Sequence, residues 1–106
     1  MSFKLIIIYW RDIPAQVTAQ EGRTREKALL AARFQHAIDR AAAVAGLTDT
    51  DSYIAQWKRE TFACEGDMAE VVAKEASKIE DSYTAERLEQ LVQQGGAENN
   101  DGKVLT

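Results

Sequence analysis

Phe3-Lys4-Leu5-Ile6-Ile7-Ile8-Tyr9-Trp10-Arg11-Asp12-Ile13-Pro14-Ala15-Gln16-Val17-Thr18-Ala19-Gln20 is the stretch that decides the architecture. Its first eight residues are β-branched, aromatic or otherwise apolar except at Lys4, the pattern of a strand covered on both faces. Asp12-Ile13-Pro14 then carries turn chemistry, because the proline ring fixes φ and removes a donor. From Ala15 to Gln20 small or apolar side chains alternate with polar ones at period two, as in a strand with one wet face. The stretch predicts a β-hairpin whose first arm is the central strand of a sheet.

Outward from the hairpin, Gly22 marks its end and Thr24 has the hydroxyl of a helix N-cap, with Glu26 favourable in the first turn. A helix is expected from about Arg25 to Ala45. Leu30, Phe34, Ile38, Ala41 and Ala45 form its apolar stripe, widened by Leu29, Ala37 and Val44, and Gly46 stops it. Residues 52–58 read either as a third strand, with Tyr53, Ala55 and Trp57 on one face, or as a short helix. The strand is preferred, because a hairpin alone is marginally stable. Residues 61–67 read as loop. Met68, Val72, Ala76, Ile79 and Tyr83 then define a second helix, extended by Leu88, Leu91 and Val92 after a break near residues 82–84 and ended by Gly95-Gly96. The expectation is one α+β domain over 1–96, a mostly antiparallel three-stranded sheet with two helices on one face, and a flexible polar tail over 97–106.

Composition bounds the function. A chain of 106 residues with 45% hydrophobic and 28% charged residues supports one core and lies far from the disordered regime. The longest apolar run is much shorter than the roughly 20 residues of a membrane span and is not built as an export signal, so a cytoplasmic location is expected. Cys64 is the single cysteine, which removes internal disulfides and cysteine-rich zinc sites. The net charge of −4 argues against a nucleic-acid binder. It is unevenly spread: residues 1–60 sum to +2 and residues 61–106 to −6, which predicts a mildly basic face opposite an acidic end.

No HExxH, CxxC, GxSxG, Walker-type loop or GxGxxG is present, so neither a metal, a cofactor nor a catalytic residue is expected. His36, flanked by Arg33 and Arg40 at helical spacing, reads as a surface residue. Glu65 and Asp67 beside Cys64 oppose thiolate formation. Two constellations exceed the background. Tyr9, Trp10, Arg11 and Asp12 crowd the end of a strand and its turn. Trp57 and Arg59 resemble them in chemistry, and Trp and Arg are the residues that anchor interfaces. The bland alternative makes Tyr9 and Trp10 core and Arg11 and Asp12 a turn ion pair. The second constellation is Arg23, Arg25 and Lys27, which at a helix start would join the helix amides in holding an anion.

The strings Ile8-Tyr9-Trp10-Arg11-Asp12-Ile13-Pro14-Ala15-Gln16-Val17, Arg33-Phe34-Gln35-His36-Ala37-Ile38-Asp39-Arg40-Ala41-Ala42 and Asp51-Ser52-Tyr53-Ile54-Ala55-Gln56-Trp57-Lys58-Arg59 resemble a small, mostly alphaproteobacterial family labelled "virulence factor". The resemblance spans roughly residues 3–95 and carries no catalytic residues. It implies an accessory subunit or small binding protein for folate- and corrinoid-dependent one-carbon enzymes. Three functions are therefore expected in order: a non-catalytic interaction module with a protein partner, a small-ligand or auxiliary enzyme domain holding an anionic cofactor, and a homodimer paired through sheet edges or helix faces.

Overall fold

The computed structural model describes residues 2–97. The expected hairpin forms from β1 (Ser2–Trp10) and β2 (Ile13–Glu21), joined by the two residues Arg11 and Asp12. The register slips between Ile8 and Tyr9, leaving Ala15 unpaired in β2 as a β-bulge. Pro14 sits at this bulge, inside the strand and beyond the end of β3, where a missing N–H is tolerated. The reversal thus falls at Arg11-Asp12 and not at Asp12-Pro14.

β3 (Thr24–Leu29) corrects the expected helix start. Arg25, Glu26, Lys27, Ala28 and Leu29 are competent helix formers, but Gly22, at φ +60°, turns the chain in two residues and lays them antiparallel along β2. Pairing overrides propensity here, and Thr24 caps nothing. The helix α1 begins at Ala32 and ends at Ala45, with Gly46 in the left-handed conformation as expected. No side chain caps its start from within. Instead the Ala31 amide donates to Glu80 Oε2 at 3.0 Å, a carboxylate brought from across the fold. Leu29 and Val44, assigned to the buried stripe, are exposed, Leu29 by 69%.

Residues 52–58 divide between two elements. α2 (Thr50–Ala55) is capped by Asp49, whose carboxylate accepts from the Ser52 amide at 3.1 Å, and that hydrogen bond holds the Asp49 carboxyl below its ordinary range. β4 (Trp57–Glu65) follows, so the expected loop over 61–67 is mostly strand. The sheet therefore has four strands, not three, in the order β3-β2-β1-β4, all antiparallel. α3 (Met68–Ser82) and α4 (Ala85–Gln93) meet at the predicted break, where Thr84 caps α4 by accepting from the Arg87 amide. The expected tail lies, beyond Ala97, outside the described residues.

The core sits on one side of the sheet. Phe3, Leu5, Ile7, Val17 and Ala19 meet Phe34, Ile38 and Ala41 of α1, Val72 and Ile79 of α3, and Leu88 and Leu91 of α4. The helices cover one face of the central strand; on the other, Ile6 and Trp10 are buried, Ile8 is half-buried and Lys4 is exposed, so the cover on both faces that its apolar run suggested is only partial.

Candidate functional site

The hairpin turn is used internally. Trp10 is fully buried, its indole Nε1 donates to the Tyr53 carbonyl at 3.0 Å, and its ring stacks on Tyr53 at 5.6 Å. It has no surface with which to touch a partner. Arg11 adopts φ +54°, a conformation a residue with a Cβ enters at a cost of about 1 kcal/mol or more. What holds it there is a set of contacts from two other parts of the chain. Its amide donates to the Gln56 carbonyl at 3.1 Å, Nε to Gln56 Oε1 at 3.0 Å and Nη1 to the Gly95 carbonyl at 3.1 Å. The Asp12 amide donates to the Gly96 carbonyl at 2.9 Å. Trp10 and Arg11 therefore clip the α2–β4 junction and the end of α4 to the hairpin, the structural role weighed beside the interface role in the sequence.

Tyr9 and Asp12 lie beside Lys58, Glu60 and Tyr83 around a small hollow of about 190 Å³. Lys58 Nζ reaches Asp12 Oδ1 at 3.4 Å. Burial, then the neighbouring Glu60 carboxylate, pushes the Tyr9 phenol up to about 12, so it stays a hydrogen-bond donor and is no base near neutrality. His36 is exposed on α1, as expected. Near it, Arg40 holds Glu89 of α4 with two hydrogen bonds of 2.7 and 3.0 Å, which lowers the Glu89 carboxyl from its ordinary range. Among the described residues no three His, Cys, Asp or Glu side chains gather as metal ligands would.

The bare face of the sheet is where the remaining candidates meet. Side chains alternate across a strand, so the register sorts them into three cross-strand rows on the side away from the helices. The rows are Arg25, Gln20, Lys4, Ala63; then Lys27, Thr18, Ile6, Thr61; then Leu29, Gln16, Ile8, Arg59. Arg25 and Lys27 from one predicted constellation and Arg59 from the other thus share one surface, and Trp57 joins Ile8 and Arg59 at its end around a hollow of about 310 Å³. Arg23 stands in the Gly22-Arg23 turn at the border. No helix N-terminus accompanies the basic trio, so the amides invoked for anion binding are absent from it.

Lys4, Ile6 and Ile8 complete this face and were missed as site residues. The signal was the Lys4 interruption, which marks the start of the even-numbered side of β1 as exposed. A hollow of about 680 Å³ lies here, bounded by Lys4, Gln20, Glu21, Arg59 and Thr61 over Ile6. Among the described residues Lys4, Arg25, Lys27 and Arg59 make no side-chain hydrogen bond or ion pair. The carboxylates Glu70, Glu75, Glu80, Asp81, Glu86 and Glu89 are instead carried by α3 and α4, the predicted charge asymmetry in spatial form. No helix among the described residues is long and apolar enough to cross a membrane.

No curated protein and no solved structure matches the chain. A family model described as "Virulence factor" matches residues 8–92, from the last turn-side residues of β1 to the end of α4, and the chain belongs to that family.

Proposed function

We propose that the protein is a non-catalytic accessory module that binds an acidic segment of a protein partner on the bare face of its sheet. The observation that carries this reading is the convergence of Lys4, Arg25, Lys27 and Arg59, without partners among the described residues, around the half-buried Ile8 and the buried Ile6. Unpaired cations around an apolar centre favour an anionic and partly apolar surface over either alone. Nucleic acid fits less well, because the net charge of −4 opposes a polyanion away from the patch. Following the family resemblance, the partner is an enzyme of folate- or corrinoid-linked one-carbon chemistry in the cytoplasm.

Affinity purification from the native host tests the reading, with Lys4→Glu/Lys27→Glu as the control. Both side chains are exposed, so the variant keeps its fold. A partner recovered with the wild type, lost on charge reversal and weakened by salt supports the face. Equal recovery with the variant refutes it, and a partner of unrelated chemistry removes the one-carbon link alone.

A second reading, a small anionic ligand, is favoured by the hollow of about 680 Å³ between Lys4 and Arg59, a size typical of ligand sites. Calorimetry with folate and phosphate compounds decides it: salt-suppressed heat supports the ligand, and no heat across the panel excludes it.

A further inference from the structure

The two edges of the sheet are built differently. β3 is short, six residues, and packs under α3, whereas β4 runs nine residues without proline, glycine or bulge and is exposed from Lys58 to Ala63. Protein sheets ordinarily blunt such an edge, because its free N–H and C=O groups template another strand. On the helix side of β4, Phe62 is a large apolar side chain left 45% exposed.

The sequence of β4, Trp57-Lys58-Arg59-Glu60-Thr61-Phe62-Ala63-Cys64-Glu65, is complementary to itself in one antiparallel register. A two-fold axis perpendicular to the sheet keeps each face of one copy continuous with the same face of the other, so only registers in which a residue opposes its own counterpart are open. Centring on Arg59 or Glu60 sets like charges against each other. Centring on Thr61 leaves Arg59 opposite Ala63 and Glu60 opposite Phe62. Centring on Phe62 places the two Phe62 rings together on the helix side and Arg59 of each copy opposite Glu65 of the other on the bare side. Within one strand Arg59 and Glu65 are six positions apart and cannot pair with each other, whereas in this register they can pair between copies.

We propose that a second copy of this chain pairs antiparallel along β4, centred on Phe62, to make one continuous eight-stranded sheet. This goes beyond the partner-binding reading and does not depend on it. In the pair, Arg59 serves the junction, while Lys4, Arg25 and Lys27 of both copies border a single joined face.

Size-exclusion chromatography with light scattering, at a chain concentration of about 100 µM, reads the state directly. The expected result is twice the mass of one chain. Arg59→Glu, which sets Glu opposite Glu65 twice, should raise the dimer dissociation constant at least about tenfold, and Arg59→Glu/Glu65→Arg should return it to within about threefold. The register has its own test. Phe62→Cys/Cys64→Ala brings a thiol opposite its counterpart within disulfide reach and should cross-link on mild oxidation, whereas Thr61→Cys/Cys64→Ala, with thiols two positions out of line, should not. A monomeric wild type overturns the proposal and leaves the edge to a strand of another protein. A dimer indifferent to Arg59→Glu, or one cross-linked equally by both cysteines, overturns it as well.

Discussion

Replacing Arg11 separates its structural role from the interface role its sequence context suggested. The guanidinium donates to Gln56 Oε1 at 3.0 Å and to the Gly95 carbonyl at 3.1 Å, and lies 5.7 Å from the centre of the Trp10 ring. Hydrogen bonds from a charged donor are worth about 1.5–3 kcal/mol each when buried, and Arg11 is only half-buried, so about 1 kcal/mol apiece is the appropriate scale. Arg11→Ala should therefore destabilise the protein by roughly 2 kcal/mol, a fall in Tm of about 10 °C for a domain of this size. Arg11→Gly loses the same contacts but relieves the φ +54° strain, so it should be less destabilising than Arg11→Ala by about 1 kcal/mol. Urea unfolding of the two variants, followed by tryptophan fluorescence, measures both quantities. A loss below about 0.5 kcal/mol in Arg11→Ala would refute the clip. Arg11→Gly less stable than Arg11→Ala would refute the strain argument.

Gly96 stands at φ +90° with Trp10 Cζ3 only 2.7 Å from where a Cβ would lie, so Gly96→Ala should cost about 2–4 kcal/mol in urea unfolding, and a neutral result would contradict the close approach. With Trp57→Phe the remaining Trp10 should emit in the blue and resist acrylamide quenching, whereas Trp10→Phe should leave a quenchable Trp57, and equal quenching of the two would contradict their burial. Tyr9 has a folded pKa raised above its unfolded value of 10.0, so its contribution to stability is complete below about pH 10 and disappears as pH rises toward 12. Absorbance titration should accordingly lose a phenolate step near 12 in Tyr9→Phe, and an unchanged curve would exclude the assignment.

How much of this was legible in the chain differs by segment, for identifiable reasons. β1, β2, α3, the Thr84 break and the Gly46 and Gly95-Gly96 stops were readable because hydrophobic period, capping hydroxyls and glycines act over a few residues. β3 was read as helix because Arg25 to Leu29 suit a helix by themselves, and only the two-residue turn at Gly22 and the pairing with β2 make them a strand. β4 gave almost no signal after Trp57. Both its faces are exposed, so no alternation is imposed on it, and its conformation comes from β1, which pairs with it on its open side.

The same division holds for the site. The sequence by itself fixed the aromatic and basic residues worth watching and the basic and acidic halves of the chain, since residue type and charge are local properties. Only the tertiary structure decided that Trp10 is core, that Arg11 is spent on Gln56 and Gly95, and that Arg25, Lys27 and Arg59, with Lys4, share one surface. Those assignments depend on contacts up to 84 positions apart, and the energy of a long-range contact is not written in the residues on either side of it until strand order and register bring them together.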